Sequence, residues 1–173
     1  MASGLYIVTG HVGHGMNTVC HAMGLVSGSS DTVVLQDVYD KMRHWHYFKD
    51  LRACYDARDS HRQVWEDTKR EYTRYCSAGF GHTIFSYAQV YCGIRSRAEL
   101  YDLVEAFPGV KVIWVNADIR VGGMDPSLDI TPADADIILD NNQTKYDLWK
   151  HIGECGLPHQ RYCPFMPELE SVD

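Results

Sequence analysis

The chain has 173 residues, 45% of them hydrophobic and 23% charged, proportions typical of a folded domain with a buried core. No apolar run approaches the roughly 18–20 residues of a membrane span. The N-terminal run also lacks the basic leader and small-residue cleavage site of a secretion signal. The net charge of −7 disfavours nucleic acid as a partner, although a local basic face would still permit it. We expect one domain over residues 1–173, in the cytoplasm, without membrane contact.

A glycine-spaced segment near the N-terminus has the order of a strand, a loop and a helix. Residues 5–9 are apolar and β-branched, and residues 18–26 carry apolar side chains at helical spacing. Between them lie Gly10, Gly13 and Gly15, the pattern of a phosphate-binding P-loop, G-x-x-x-x-G-K-[ST]. Its glycines allow backbone N–H groups to converge on phosphate oxygens. However, the lysine position holds Met16 and the hydroxyl position holds Asn17, so the sequence predicts a phosphate cradle without its cation.

The rest of the chain alternates between predicted strands and helices. We expect strands at 32–35, 89–94, 111–115 and 137–139, and helices at 96–107 and 144–152, with Gly28 ending the first helix and a turn at Gly79 and Gly81. Ser96 and Glu99 have capping-box spacing. This alternation predicts a doubly wound parallel α/β sheet of about five strands.

Three segments interrupt this alternation. Residues 37–75 carry no strand pattern and predict a helical insertion, in which Ser60 caps a helix that reaches Tyr72. Residues 118–133, rich in Gly, Asp and Pro, predict a loop, and residues 153–173 a C-terminal tail. The six cysteines form no C-x-x-C pair, so we expect them to be reduced and structural, with Cys92 buried in a strand.

Four segments, in this order, resemble the P-loop deoxynucleoside monophosphate kinases of bacteriophages and their phage-encoded relatives. They are Gly15-Met16-Asn17-Thr18 and residues 91–100, 112–120 and 135–142. The resemblance spans about residues 5–152 and implies a P-loop kinase-like fold, in which 37–75 binds the acceptor and 118–133 is a lid. It also implies ATP as donor, Mg²⁺ as metal and a nucleoside monophosphate as acceptor.

The chain departs from this family at charged positions. Met16 stands in place of the loop lysine, Asn17 in place of an aspartate, and Gly93 where many members carry an aspartate. Removing one positioned charge typically costs about 10²-fold or more in rate. Natural divergence and deliberate replacement of Met16 and Asn17 are both compatible with the sequence.

The resemblance also implies a set of site residues. The nucleotide-binding residues would be Gly10, His11, Gly13, His14, Gly15, Met16, Asn17 and Thr18, with Thr18 also contacting the metal. Arg95 and Arg120 would clamp the transferring group, and Asp37 would act as an acid–base or Mg²⁺ partner. The acceptor would contact Arg58, Arg62, Trp65 and Arg97.

Plainer interpretations accompany several of these assignments. Three interpretations are open for His11, His14 and His21. They replace the missing cation, they bind a metal, or they are exposed loop residues without a special role. Arg97 contacts phosphate or pairs with Asp102 or Glu105. Trp65 stacks on a base or belongs to the core. Asp37 is a site residue or a turn residue, and Asp134, Asp136 and Asp140 are interpreted as turn formers.

Three functions remain open at this point. The first is phosphoryl transfer from ATP to a nucleoside monophosphate. The second is a pseudokinase that binds a nucleotide without turnover, or binds a protein partner. The third is a kinase that acts on a modified base in phage DNA.

Overall fold

A computed structural model describes residues 4–122 and 125–165, and its centre is a five-stranded parallel sheet. The strands are β1 (Tyr6–Thr9), β2 (Ser27–Gly28), β3 (Val90–Cys92), β4 (Lys111–Asn116) and β5 (Ile137–Asp140). Their order is β2-β3-β1-β4-β5, and every pairing is parallel. This confirms the predicted fold class, a doubly wound parallel α/β sheet of five strands.

Seven α-helices surround the sheet in the described residues. They are α1 (Met16–Met23), α2 (Ser30–Met42), α3 (Leu51–Asp56), α4 (Arg62–Tyr72), α5 (Gly79–Phe85), α6 (Arg97–Ala106) and α7 (Lys145–Glu154). Two 3₁₀ turns cover Arg58–His61 and Pro132–Asp134. None of the described helices is long and apolar enough to cross a membrane.

Strand β1 is buried along its whole length and contributes to both sides of the core. Since side chains alternate along a strand, Ile7 packs in an apolar cluster with residues of α2, α4, α5 and α6. Val8 packs on the other side, in a cluster with residues of α1 and α7. Helices therefore cover both faces, and the carboxyl end of β1 is fixed at the middle of the sheet.

Most of the predicted elements are present. The strands predicted first, third, fourth and fifth are β1, β3, β4 and β5, and the last two predicted helices are α6 and α7. Half of the predicted capping box is present: the Ser96 hydroxyl accepts a hydrogen bond from the Glu99 N–H at 3.4 Å, whereas the Glu99 carboxyl accepts from the Tyr91 hydroxyl. The predicted insertion is helical, because the last six residues of α2 and all of α3 and α4 lie within it.

The predicted second strand is wrong. Residues 32–35 belong to α2, which begins with a capping box between Ser29 and Thr32. The β-branched residues of this run lie on a helix whose buried face includes Val34 and Val38. The strand at this edge is the two-residue β2, and α1 ends before it, at Gly24, which adopts a positive φ of 67°.

Two further local predictions are also wrong. The turn predicted at Gly79 and Gly81 is helix α5, in which Gly81 lies so close to Leu103 that a Cβ would collide with it. Ser60 lies in a 3₁₀ turn, and His61 occupies the N-cap of α4 without a side-chain cap.

Residues 123–124 of the predicted lid loop and residues 166–173 of the predicted tail lie outside the described part of the chain.

Candidate phosphate-binding loop and neighbouring cleft

Residues 10–15, here called the glycine loop, join the carboxyl end of β1 to the N-terminus of α1. Gly10, Gly13 and Gly15 have φ values of 156°, 84° and 92°. A Cβ on Gly10 would lie 2.7 Å from the carbonyl oxygen of Val115, and one on Gly15 would collide with the amide of Asn141. The loop therefore requires glycine for backbone conformation and for close approach to the ends of β4 and β5.

The N-terminus of α1 is not capped by a side chain. Gly15 is its N-cap residue, and the first hydrogen bond of the helix runs from the Val19 N–H to the Gly15 carbonyl at 3.0 Å. The N–H groups of the first turn, from Met16 to Thr18, precede that bond. Such groups, with the positive end of the helix dipole, form a ready site for an anion.

His14 braces the loop from within. Its side chain is fully buried, and its Nδ1 accepts a hydrogen bond from the Ala117 N–H at 3.1 Å. The same Nδ1 also lies 3.2 Å from the Val115 carbonyl oxygen, and Nε2 lies 3.6 Å from Asp118 Oδ1. The interpretation of His14 as an exposed loop residue is therefore wrong: the ring ties the loop to the end of β4.

Asn141 is a second brace, which the sequence analysis missed. It follows β5 and is 5% exposed, and its Nδ2 donates to the carbonyl of His14 at 2.7 Å. Its own N–H donates to the Asn116 carbonyl at 2.7 Å, and its carbonyl accepts from Arg120 Nε at 3.0 Å. Its place directly after a strand's carboxyl end is the one signal that could have identified it.

The other two histidines differ from His14. His11 is half-buried, with its ring centroid 5.2 Å from that of His14, and its Nδ1 accepts from the Asp125 N–H at 3.3 Å. His21 is exposed on α1. Within residues 4–122 and 125–165, no group of three or more His, Cys, Asp or Glu side chains is placed to hold a metal ion.

The residues that replace the expected charges have other contacts. Met16 is half-buried and packs against the apolar cluster that lies between the sheet on one side and helices α1 and α7 on the other. Asn17 accepts a hydrogen bond from the Cys92 thiol at 3.3 Å. A hydrogen bond from Cys20 lowers the pKa of Cys92 and raises that of Cys20. Gly93 has a positive φ of 85°, so an aspartate there would require a strained backbone.

The two arginines that follow β3 are held by carboxylates. Arg95 pairs with Asp125 and contacts Ser127. Arg97 pairs with Asp134 at 3.0 Å, not with Asp102 or Glu105. Burial acts to raise the pKa of each aspartate, but hydrogen bonds and the arginine charge outweigh it, so both pKa values are lowered.

The aspartates near β5 have structural contacts. Asp134 closes a capping box with Thr131. Asp136 accepts from the Val112 N–H at 2.8 Å, and Asp140 accepts from the Asn142 N–H at 3.1 Å. Asp134 and Asp140 therefore make local turn contacts, as interpreted, whereas Asp136 bonds to the neighbouring strand β4.

The residues predicted to bind the acceptor do not form one cluster. Trp65 is 2% exposed and packs in the core, so the base-stacking role is wrong and the core interpretation holds. Arg58 lies over the Tyr55 ring, 4.4 Å from its centroid, with its Nε 3.8 Å from Asp31. Arg62 is exposed at the start of α4.

Asp37 was interpreted either as a site residue that follows a strand or as a turn residue. Both positions are wrong, because Asp37 lies within helix α2. It is exposed on α2 and lines a shallow cavity with Lys41, Thr68 and Glu71, between α2 and α4.

A cleft of about 440 Å³ runs along α1, the helix that follows the glycine loop, from Asn17 in its first turn to Gly24 at its C-terminal end. Its wall comprises one side of α1, strand β2, the end of β3, the start of α2 and Tyr55 of α3. Asn17 belongs both to this wall and to the first turn of α1. The cleft therefore meets the uncapped helix terminus at the carboxyl edge of the sheet.

No protein-family model and no curated protein matches this chain. Among solved structures, it is similar to a gluconokinase from Sinorhizobium meliloti 1021, with 20% identity, coverage of 90% of this chain and 94% of the other, and a TM-score of 0.49. A sugar kinase from Janibacter sp. HTCC2649 is 18% identical, with coverage of 90% and 96% and a TM-score of 0.45. Similarity at this level identifies no function, and the fold assignment rests on the strand order and the glycine loop.

Proposed function

We propose that this chain is an ATP-dependent phosphotransferase whose glycine loop holds the donor phosphates through backbone N–H groups. One observation carries the proposal: an uncapped helix terminus follows three glycines with positive φ, at the carboxyl end of the central strand. Such a loop presents N–H groups and a helix dipole to an anion without any side chain. His14 and Asn141 support this interpretation, because both fix the loop from the protein side and leave its backbone to bind a ligand.

The residues present fit magnesium–ATP in part. Thr18 offers a hydroxyl in the first turn of α1, and Asp118 offers an exposed carboxylate at the end of β4. Mg²⁺ binds through one or two such oxygens together with nucleotide phosphates. When bound, the metal would neutralise charge on the phosphates. Gly93 contributes no carboxylate.

Arg120 is the candidate replacement for the missing lysine. It is exposed, and its Nε is anchored to the carbonyl of Asn141, the residue that braces the loop. A guanidinium held there supplies positive charge next to the phosphates. Arg95 contributes less, because its partner Asp125 already neutralises it.

A second candidate function is nucleotide binding without turnover. The neutral residues Met16 and Asn17, together with Gly93, favour it, because three charged positions of the expected site are uncharged. The two candidates share the nucleotide site and differ only in the transfer step.

Phosphate transfer from ATP in the wild type and in the Met16→Lys/Asn17→Asp double variant separates these candidates. Measurable transfer by the wild type supports the enzyme. Transfer that appears only in the double variant, with an increase of about 10²-fold or more, supports the pseudokinase. Val12→Lys is the matched control, since Val12 lies in the same loop, is 60% exposed and is not at the cation position. Absence of ATP binding by folded wild type and by the double variant would overturn both candidates.

A further inference from the structure

We infer that the cleft beside the glycine loop binds a neutral, hydroxyl-bearing acceptor of nucleoside or sugar size, and not a phosphate monoester. This inference rests on the proposed phosphotransferase function and concerns its acceptor. The cleft volume of about 440 Å³ lies within the range of small-molecule sites.

The first argument is position. Asn17 lines the cleft and is also the second residue of α1, two residues after the N-cap residue Gly15. A molecule at the Asn17 end of the cleft would therefore lie next to phosphates bound at that terminus. Transfer requires such contact, because the reacting atoms must approach to about 3–3.5 Å.

The second argument is charge. The side chains that line the cleft include no lysine, arginine, aspartate or glutamate, and His21 is the one basic group among them. A phosphate dianion in a protein site is normally held by Arg, Lys or a helix N-terminus. A monophosphate in this cleft would lose water without gaining a cation.

Helix α2, which begins at the cleft, does not provide the missing anion site. The Ser29 hydroxyl accepts from the Thr32 N–H at 3.3 Å, and the Thr32 hydroxyl oxygen accepts from the Ser29 N–H at 2.9 Å. Asp31 adds a carboxylate to the first turn of the helix. This helix terminus is thus already capped by its own side chains.

Arg58 contacts a residue of the cleft wall, Tyr55, but it is already engaged. Its Nη1 donates to the Tyr55 carbonyl at 3.1 Å, and its Nε faces Asp31 at 3.8 Å. Asp31 also pairs with Lys69 at 2.6 Å. Arg58 stacks on Tyr55, which lines the cleft, while Arg58 itself does not.

The polar groups of the cleft suit hydroxyl recognition. The Oδ1 of Asn17 accepts from the Cys92 thiol, which leaves its NH₂ group to donate to a ligand. The Nε2 of Gln160 donates to the His21 carbonyl at 2.7 Å, which leaves its Oε1 to accept. Ser27 adds a hydroxyl, and Tyr55 adds an aromatic side chain to the wall.

The implied reaction is balanced. An acceptor hydroxyl oxygen attacks the γ-phosphorus of ATP and forms a new O–P bond, while the bond from that phosphorus to the β-phosphate oxygen breaks. The hydroxyl proton passes to water. The products are ADP and the phosphate monoester of the acceptor.

The test is calorimetric titration of the full chain with matched pairs of ligands. The four 2′-deoxynucleosides and D-glucose are each compared with their monophosphates. We expect at least one neutral member to bind 10-fold or more tightly than its phosphate ester. Tighter binding of a monophosphate, or binding of no member by folded protein, would overturn the inference.

A charge variant tests the physical reason. Ser27→Arg places a guanidinium on the cleft wall and should shift the preference at least 10-fold towards the monophosphate. Val26→Arg is the matched control, because Val26 is 57% exposed next to Ser27 but does not line the cleft. Equal shifts in both variants would mean that the cleft is not the site and would overturn the inference.

Failure of the inference and failure of the proposed function are distinguishable. ATP binding without any neutral ligand overturns the acceptor assignment alone. Binding of a neutral ligand without ATP binding would refute the phosphotransferase function and leave a small-molecule binding protein.

Discussion

Glu99 is a buried carboxyl whose replacement should stabilise the protein in a pH-dependent way. It lies in the first turn of α6, is 9% exposed, and its Oε1 accepts a hydrogen bond from the Tyr91 hydroxyl at 3.0 Å. Burial raises its pKa from 4.5 to about 7, because the carboxylate loses water, and the Tyr91 hydrogen bond offsets only part of this effect. The folded protein therefore prefers the neutral acid.

The sign and size of the effect follow from linkage. Between about pH 4.5 and pH 7 the folded state holds a proton that the unfolded chain releases, so the free energy of unfolding falls as the pH rises. A shift of about 2.5 pKa units corresponds to about 3 kcal/mol, at about 1.4 kcal/mol per unit. This loss is complete above about pH 8.

Glu99→Gln removes the ionisation and keeps an oxygen that accepts from Tyr91. We expect the variant to exceed the wild type in unfolding free energy by up to about 3 kcal/mol at pH 8, and to match it at pH 5. Urea unfolding at pH 5, 6.5 and 8 measures the difference. Glu105→Gln, on the exposed side of the same helix, is the control and should show no such trend. A Glu99→Gln difference that does not change with pH would refute the reasoning.

Three further predictions concern the loop and the core. Gly15→Ala should weaken ATP binding at least 10-fold, because φ is 92° and the Cβ would collide with Asn141; unchanged calorimetric affinity would argue against the loop as the site. Trp65→Phe should lower the unfolding free energy by about 1–3 kcal/mol in urea titrations, because the smaller ring leaves a cavity in the core, while the lost Nε1–H, unpartnered among the described residues, adds nothing to the cost; an unchanged free energy would argue against the core position. Arg97→Met should destabilise the protein by about 1–3 kcal/mol, because it leaves the Asp134 carboxylate, 8% exposed, without its ion-pair partner. Thermal unfolding at neutral pH and at pH 3 should show that this loss of stability becomes smaller as Asp134 is protonated. An equal loss of stability at both pH values would contradict the prediction.

The sequence was informative where local signals agree with the tertiary structure. Strand β1, the glycine loop and α1 were predictable because an apolar run, spaced glycines and a change to helical periodicity follow one another. The run around Val34 was misassigned, because a β-branched apolar run looks the same in a buried strand and on the buried face of a helix. The capping box at Ser29 and Thr32 was the signal that decides for a helix.

The site was less predictable, because its contacts join distant parts of the chain. His14 and Ala117 are 103 residues apart, and Asn141 bonds to His14 across 127 residues. No local pattern reveals that a loop histidine is fully buried. The ion pair of Arg97 with Asp134 also joins segments whose proximity depends on the strand order.

The central claim is that the glycine loop binds a nucleotide without a lysine, and calorimetric titration of the folded wild-type chain with Mg·ATP tests it most directly. We predict saturable one-to-one binding in the micromolar range, which corresponds to about −8 kcal/mol, because backbone N–H groups and the α1 terminus carry the interaction. Absence of binding at millimolar ATP, in protein shown to be folded by circular dichroism, would contradict the claim.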